Sequence, residues 1–337
     1  MIIQNRVLKE SNVDKVIVKK ISRTGEEFED VLESLYADGV FKEVKGKIII
    51  KPNLCTIAAY ESGIISDIKI VEGLIKYFKS KKINSEIIVI ESDSFDRTSE
   101  EVFKKLGYYE LQNKWGVKLI NLTKEEYVST IISDLPYELN LPKIFLKEYF
   151  FVSIANLKTH DYQKITCVFK NQFGCIPDRL KERYHPYLDE VLYALDRFIQ
   201  PNLCIVDGRI ALEGSGPVDG EPLETGIMVI GEKSIAVDTT CAKIMGFNPK
   251  EVPYLKHAFK KDKYDYENIK IIGEDLKLSF KFIPKKLYIG IRLKIWITRS
   301  SVAITNFLKK LSFNLLCFGI IHTISRIPNY IKKQMAR

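Results

Sequence analysis

The stretch "KEYFFVSIANL", Lys147 to Leu157, decides the fold class. Its residues from Tyr149 to Ala155 form an almost wholly apolar run, which predicts a strand buried on both faces of a sheet. Similar runs occur in "GKIIIKPNL" (46–54), "SEIIVIESD" (85–93) and "PNLCIVDG" (201–208). Strands of this kind are typical of parallel sheets, because only a sheet covered by helices buries both of its faces.

Amphipathic helical patterns separate these strands. "SDIKIVEGLIKYFKSK" (66–81) begins with Ser66 as the predicted N-cap. The residues that share one face of this predicted helix are Ile70, Val71, Leu74, Ile75 and Phe78. The alternation predicts an α/β fold, with a mainly parallel sheet and helices on both faces.

Charge divides the chain into two predicted domains. Residues 276–337 contain thirteen Lys or Arg and no Asp or Glu. Since the whole chain has a net charge of +9, residues 1–275 carry a net charge of −4. We therefore expect an α/β domain over 1–275 and a basic amphipathic helical tail over 276–337, and an anionic partner for the tail alone.

Cysteine usage and the N-terminal sequence favour the cytoplasm. Six cysteines occur without a C-x-x-C pair, and several stand in apolar runs, so we expect reduced and mostly buried thiols. Gln4, Asn5 and Arg6 follow Ile2 and Ile3 directly, which does not fit a signal peptide.

Polar residues follow each of the four predicted strands. They are Lys51 and Asn53, then Glu91, then Asn156, Lys158 and His160, and finally Asp207. Ligands of open α/β sheets bind at the carboxyl ends of the strands, so these residues predict a site if the strands are parallel and adjacent.

The segment from Asn156 to His185 adds further candidates. Lys170 and Asn171 lie in the apolar setting "CVFKNQFG", where a lysine loses hydration and becomes an anion clamp or a base. Arg179, Arg183 and His185 precede a predicted helix, whose N-terminus favours anions. The alternative interpretation is a solvated loop with two ordinary histidines.

"VDGRIALEGSGPVDG" (206–220) is the second polar segment. It contains Asp207, Glu213, Gly214 and Gly216, and its glycines allow a close approach of the backbone to a ligand. Neither the dinucleotide nor the P-loop fingerprint is present. A glycine-rich turn between strands is the alternative. Asp238 is predicted to cap the N-terminus of its own helix.

A divalent metal site is a possibility that the sequence leaves open. His160, His185, Asp207, Glu213 and Glu91 are potential nitrogen and oxygen ligands, although no H-E-x-x-H motif or cysteine zinc site occurs.

The motifs "IIIKPNL", "VSIANLKTH", "TCVFKNQFG", "RYH", "CIVDGRIALEGSGPVDG" and "GEKSIAVDTTCAKIMG" resemble, in this order, those of the DUF362 family of uncharacterised prokaryotic proteins. The resemblance spans about residues 13–250 and implies an α/β domain without a settled activity. The positions that match the family's polar motif residues are Lys51, Asn53, Lys158, His160, Lys170, Asn171, His185, Asp207, Glu213 and Asp238. Many relatives carry a ferredoxin-like module with C-x-x-C-x-x-C runs. This chain has no such run, which argues against an iron–sulfur cluster.

The tail predicts a surface-lying helix. Its longest uncharged stretch, 311–325, is shorter than the ~20 residues that a spanning helix needs. The apolar stripe consists of Ile304, Phe307, Leu308, Leu311, Leu315 and Phe318, with Lys309 and Lys310 beside it. This pattern favours an anionic membrane surface as the partner of 285–333. Packing on the body or in an oligomer is the alternative, and the acidic body argues against nucleic acid.

Three functional hypotheses follow. The first is an enzyme at the cytoplasmic membrane face that acts on a phosphate- or carboxylate-bearing small molecule or lipid-linked substrate. Its expected catalytic residues are His160, His185, Lys170, Asp207 and Glu213, and its expected substrate-binding residues are Lys51, Asn53, Lys158, Asn171, Arg183, Gly214 and Gly216. The second is a redox or metallocofactor protein related to iron–sulfur proteins. The third is a module that binds an anionic metabolite without converting it.

Overall fold

A computed structural model describes residues 13–38, 44–132 and 134–284. Their strands are β1 (Asp14–Lys20), β2 (Lys47–Pro52), β3 (Ile87–Glu91), β4 (Lys118–Asn121), β5 (Tyr127–Ile131), β6 (Glu138–Pro142), β7 (Tyr149–His160), β8 (Lys164–Thr166), β9 (Leu203–Glu213), β10 (Glu221–Gly231) and β11 (Ile269–Gly273). Their α-helices are α1 (Phe28–Ala37), α2 (Ile68–Ser80), α3 (Ser99–Lys105), α4 (Tyr108–Trp115), α5 (Val168–Gln172), α6 (Leu188–Ile199), α7 (Ser234–Ile244) and α8 (Pro253–Asp262).

The main sheet has the strand order β11-β1-β10-β9-β7-β2-β3-β4, and β8 pairs with β7. Strands β9, β7, β2, β3 and β4 are parallel neighbours. Strand β10 is antiparallel to β9 and to β1, so the sheet is mixed but mostly parallel. The predicted α/β class is confirmed. The carboxyl ends of β2, β3, β7 and β9 meet at one edge, as a shared site requires.

Helices cover both faces of the sheet. Within β2, Ile49 packs into the core beneath α5 to α8, while Ile48 and Ile50 pack into the core beneath α1 to α4. Successive side chains of a strand point to opposite faces, so a run without polar residues serves both cores. The predicted stripe of α2 is buried in the second of these cores.

The N-cap of α2 differs from the prediction by one residue. Asp67 caps the helix, because its Oδ1 accepts the N–H of Lys69 at 2.9 Å. The hydroxyl of Ser66 instead lies 2.9 Å from the carbonyl oxygen of Ile154 on β7.

Two strands extend further than their apolar runs. Strand β7 continues through the polar residues to His160, and β9 continues to Glu213. Lys158 and His160 therefore belong to a strand rather than to a loop. The short antiparallel strand β8 supplies the backbone partners of this extension.

Residues 276–284, which the prediction assigned to a helical tail, are not helical in the structure. The N–H of Leu278 donates to Ile244 O at 2.6 Å, and the N–H of Gly214 donates to Lys281 O at 2.8 Å. The packed chain thus continues past residue 275. The rest of the predicted tail, 285–337, lies outside the described residues.

No helix within the described ranges is long and apolar enough to cross a membrane.

Candidate functional site

A cleft of ≈ 240 Å³ opens at the carboxyl edge of the parallel strands. Its walls come from the ends of β2 and β3, from β7, from α5, and from the segment between α5 and α6. Seven of the predicted site residues line it: Lys51, Asn53, Lys158, His160, Lys170, Asn171 and His185. The structure therefore brings together the predicted lysines, asparagines and histidines.

Strand β7 contributes three side chains to this cleft. Asn156, Lys158 and His160 are two positions apart along the strand, and all three side chains line the cleft. The Asn156 amide donates to Ile65 O at 2.8 Å, and its Oδ1 lies 3.3 Å from the Asn53 amide nitrogen. The two asparagines thereby fix the loop between β2 and α2.

Lys158 is a buried lysine whose ammonium contacts a backbone carbonyl oxygen. Only 2% of its surface is exposed, and its ammonium donates to Ile64 O at 2.8 Å. The Sγ of Cys55 lies 3.6 Å away. In the part of the chain that the structure describes, no carboxylate forms an ion pair with it. A buried charge of this kind is costly unless an anion accompanies it.

Hydrogen bonds of the residues on either side, Phe169 and Asn171, fix the position of Lys170. The carboxylate of Asp238 accepts the N–H of Val168 at 2.8 Å and that of Phe169 at 3.1 Å, which caps α5. The Asn171 amide donates to Lys51 O at 2.9 Å. Asp238 therefore caps a different helix from its own, and the prediction that it caps α7 was wrong because α7 begins four residues earlier, at Ser234.

The Lys170 ammonium lies over the ring of Phe173, 4.0 Å from its centroid. Among the described residues it forms no hydrogen bond and no ion pair. Burial lowers the pKa of Lys170 to about 8, and the positive charges of Lys158 and Lys181 act in the same direction.

Lys51 lines the cleft with its charge already compensated. Its ammonium lies 2.7 Å from Glu91 Oε2 and donates to Pro52 O at 2.6 Å. The pair is buried, with Lys51 2% and Glu91 6% exposed. An added ligand anion would have to compete with Glu91 for this ammonium.

Both histidines of the cleft are neutral at pH 7. Burial, together with the nearby positive charge of Lys170, lowers the pKa of each histidine to about 4. The ring of His185 stacks between Tyr162 and Phe173, with centroids 5.9 Å and 5.8 Å away.

The tautomer of His160 follows from its neighbour. Its Nδ1 lies 3.0 Å from Asp161 Oδ1, and a carboxylate can only accept, so the proton sits on Nδ1. The N–H of Tyr162 lies 3.1 Å from this Nδ1 and 3.0 Å from the same Asp161 oxygen, and it donates to Asp161 because an Nδ1 that carries a proton has no lone pair to accept it. This arrangement leaves the Nε2 of His160 as a proton acceptor.

The remaining predicted site residues do not line the cleft. Asp207 is fully buried and forms an ion pair with Arg209 at 2.8 Å. Glu213 Oε2 accepts the N–H of Lys281 at 2.7 Å. Arg183 lies 3.1 Å from Asp178 Oδ2. The structure therefore does not bring the two predicted acidic residues together with the histidines.

Gly214 and Gly216 form the turn between β9 and β10. A side chain at Gly216 would place its Cβ 2.1 Å from the carbonyl oxygen of Thr159, so only glycine fits against β7. This supports the interpretation of a tight turn for these glycines.

Several residues of the cleft were missing from the predicted set. They are Cys55, Phe95, Arg97 and Lys181, whereas Arg179, which was named from the sequence, also lines the cleft. The spacing of Arg179 and Lys181 in "RLKERYH" was a usable signal, while the positions of Cys55 and Phe95 depend on loops without a regular pattern. Lys181 donates to the backbone carbonyl of Asp93, and Arg97 pairs with Asp96.

The buried Arg209 was also missed. It lies between Asp207 and Asp67, 3.0 Å from the latter, and it ties β9 to the N-terminus of α2. Asp and Arg two positions apart on one strand share a face, which is the pattern that could have predicted this pair.

The potential metal ligands named from the sequence do not come together in the structure. Over the ranges 13–38, 44–132 and 134–284, no group of three or more His, Cys, Asp or Glu side chains is arranged to hold a metal ion. The five potential ligands named from the sequence are separated, since Asp207 and Glu213 lie away from the cleft and Glu91 pairs with Lys51.

Comparison with known proteins agrees with the motif resemblance. The family model "Domain of unknown function (DUF362)" matches residues 48–243. The thylakoid-associated protein sll1697 of Synechocystis sp. is 25% identical over 230 residues, which cover 66% of this chain and 70% of that protein. The family match spans more than half of the chain and all seven predicted residues that line the cleft. The chain belongs to the DUF362 family.

Proposed function

We propose that this protein is an enzyme that binds a small organic anion, bearing a carboxylate or a phosphate, in the cleft between β2, β7 and α5. The observation that carries the proposal is the pair of lysines, Lys158 and Lys170, which line the cleft without a carboxylate partner among the described residues. A ligand anion would supply the missing negative charge to both.

The orientation of His160 favours an enzyme over a protein that only binds its ligand. Its Nε2 is an acceptor in the cleft, and its Nδ1–H is oriented by Asp161. A neutral, oriented imidazole beside a bound anion can accept a proton from it and return the proton to the product. His185, held between two rings, forms part of the same wall.

Anion binding is tested by thermal unfolding of the full chain with inorganic phosphate, with succinate and with neutral glycerol. A ligand at 100 times its Kd stabilises a protein by about 2.7 kcal/mol, which is readily measured. We expect phosphate or succinate to stabilise the wild type, and K158M and K170M each to weaken binding about tenfold, or ~1.4 kcal/mol.

The matched control is K256M, which removes an exposed lysine on α8. Equal stabilisation of all three variants would contradict a site at Lys158 and Lys170.

A second experiment separates an enzyme from a binding module. The protein is incubated with a mixture of small carboxylates and phosphates, and mass spectrometry detects any product. If the protein is an enzyme, we expect the wild type to form product. We expect His160→Asn to form no product while it still binds phosphate.

We also infer that the basic segment 285–333 holds the protein at an anionic membrane surface. Its amino-acid sequence supports this inference, with an apolar stripe beside Lys309 and Lys310. The name of the Synechocystis relative describes that protein as thylakoid-associated. The proposed substrate class therefore includes lipid-linked anions displayed at the cytoplasmic face of a membrane.

Flotation of the full chain with vesicles tests the membrane inference. We expect binding to vesicles that contain phosphatidylglycerol and none to vesicles of phosphatidylcholine alone, because basic residues near an anionic surface contribute ~1 kcal/mol each. The double substitution of Lys309→Glu and Lys310→Glu should reduce flotation, while K256M should not. Flotation that ignores lipid charge would count against the inference.

A further inference from the structure

Lys170 differs from the other lysines of the cleft in the environment of its Nζ atom. Lys51 pairs with Glu91, Lys158 donates to Ile64 O, and Lys181 donates to Asp93 O. Among the described residues, the Nζ of Lys170 forms no hydrogen bond, and it lies 4.0 Å from the centroid of the Phe173 ring. Of the four lysines that line the cleft in the described part of the chain, Lys170 is therefore the one whose amine no hydrogen bond occupies.

Hydrogen bonds to neighbouring elements anchor the backbone that carries this amine. Asp238 caps α5 at the two residues before Lys170, and the hydroxyl of Tyr254 donates to the same carboxylate at 2.9 Å. Asn171 binds Lys51 O and Ser153 Oγ, both at 2.9 Å. The side chain thus enters the cleft from an element fixed on both sides.

The surroundings of Lys170 favour a reactive amine. Burial and nearby ammonium groups disfavour its charged form. An amine that is desolvated beside other cations is the arrangement in which lysine serves as a nucleophile toward carbonyl compounds. The neutral imidazoles of His160 and His185 line the same cleft and can relay protons.

We propose that Lys170 forms a Schiff base with an aldehyde or ketone group of the bound anion, so that the substrate class is an oxo-carboxylate or oxo-phosphate. The assignment rests on the anion site proposed above, with Lys158 binding the carboxylate or phosphate and Lys170 meeting the carbonyl carbon.

The step balances without an external oxidant. The Nζ lone pair adds to the carbonyl carbon, the carbonyl π electrons move to oxygen, and one Nζ proton is transferred to that oxygen to give the carbinolamine. A second proton then reaches the hydroxyl group, which leaves as water as the nitrogen lone pair forms the C=N bond, and the nitrogen releases its remaining proton. The sum is one carbonyl and one amine giving one imine and one water. His160 Nε2 is positioned in the cleft to carry these protons.

Reductive trapping tests the proposal. The full chain is incubated with pyruvate or with propanal in the presence of cyanoborohydride, and the modified lysines are mapped by peptide mass spectrometry. We expect pyruvate to modify Lys170 at least tenfold faster than Lys256 in the same molecules. K170R removes this adduct, and K158M slows labelling of Lys170 by pyruvate more than labelling by propanal, because propanal lacks the carboxylate that Lys158 binds.

Mapping in the wild type does not depend on whether any variant folds. Labelling spread evenly over exposed lysines, or a Lys170 rate equal to that of Lys256, would overturn the Schiff base. If phosphate stabilises the protein through Lys158 and Lys170 while pyruvate leaves Lys170 unmodified, the Schiff base fails and the anion site stands. If Lys170 reacts selectively but no anion stabilises the protein, the nucleophile is supported and the anion-binding proposal fails.

Discussion

At the scale of single residues, the cleft depends on ionisation states that differ from those of exposed side chains. Lys170 has a lowered pKa of about 8, and His160 and His185 each have a pKa of about 4. In all three cases burial is the largest cause, since it penalises the charged form. At neutral pH the cleft therefore contains cationic lysines next to neutral imidazoles, which suits both anion binding and proton transfer.

The pH dependence of Lys170 can be measured directly. The neutral amine is the nucleophile, so we expect the rate of pyruvate trapping at Lys170 to rise with pH and to level off above about pH 8. Anion binding should weaken over the same range, because the ammonium charge is lost. Peptide mass spectrometry at pH values from 6 to 10 checks the first effect. A trapping rate still rising steeply at pH 10 would contradict a lowered pKa.

The lowered pKa of His160 predicts that the folded protein loses stability in acid. The unfolded state takes up a proton near the ordinary histidine pKa of about 6.5, while the folded state resists protonation until about pH 4. The free energy of unfolding should therefore fall as the pH decreases between these values, by up to ~3 kcal/mol for this residue. His160→Asn keeps a donor toward Asp161 but does not titrate, so its loss of stability from pH 7 to pH 5 should be smaller. Urea denaturation at both pH values measures this difference.

At the scale of elements, the short helix α5 is the part of the site that depends most on a distant residue. Its two N-terminal N–H groups donate to the carboxylate of Asp238 on α7. The hydroxyl of Tyr254 on α8 donates to the same carboxylate. Because α5 carries both Lys170 and Asn171, the geometry of the cleft is coupled to the packing of α7 and α8.

Removal of this carboxylate should therefore affect both stability and binding. Asp238→Ala leaves three buried donors without an acceptor, which we expect to lower the free energy of unfolding by ~3 kcal/mol or more. Asp238→Asn keeps one acceptor and should fall between the alanine variant and the wild type. Asp38→Ala, at an exposed position after α1, is the control and should be close to neutral. A change below 1 kcal/mol in Asp238→Ala would contradict the capping role.

Much of this fold could be predicted from hydrophobic pattern, and the reasons for the exceptions are physical. The buried strands and the stripe of α2 are local patterns, so one segment suffices to predict them. The extension of β7 to His160 was missed because its polar residues face a cleft rather than a core. Pairings between distant segments, such as Lys51 with Glu91 and Asp238 with α5, have no local signal.

The candidate site shows the same division. The positions past the strand ends were predictable because parallel strands align their carboxyl ends. Asp207 looked equivalent to Asn156, since the two are paired in register, but the Arg209 side chain two residues on occupies its carboxylate. Which polar strand ends remain free for a ligand is decided by such neighbours.

At the scale of the whole molecule, we propose that two kinds of anionic partner bind to different regions of the chain. The cleft lies in the described α/β domain, whose sequence over 1–275 has a net charge of −4. The basic segment from residue 285 onward is proposed to bind a membrane surface. Since the body is acidic, the local arrangement of Lys158 and Lys170, rather than the overall charge, must attract a small anion to the cleft.

Salt should separate these two partners. Surface charges are screened over about 8 Å at 0.15 M ionic strength, and partly buried pairs are screened much less. We expect vesicle flotation to be lost as sodium chloride rises from 0.05 M to 0.5 M, while phosphate binding in the cleft weakens only a few-fold. Parallel flotation and thermal unfolding series check this difference. A joint loss of both at the same salt concentration would contradict two distinct sites.

The most direct test of the central claim, an anion site between Lys158 and Lys170, is a crystal structure with selenate, a tetrahedral oxyanion located by its anomalous scattering. The claim predicts an anomalous peak in the cleft, with selenate oxygens at about 2.7–3.2 Å from the Nζ atoms of both lysines. The same peak should be absent from the K158M/K170M double variant. Selenate at surface sites only, with an empty cleft in the wild type, would contradict the claim.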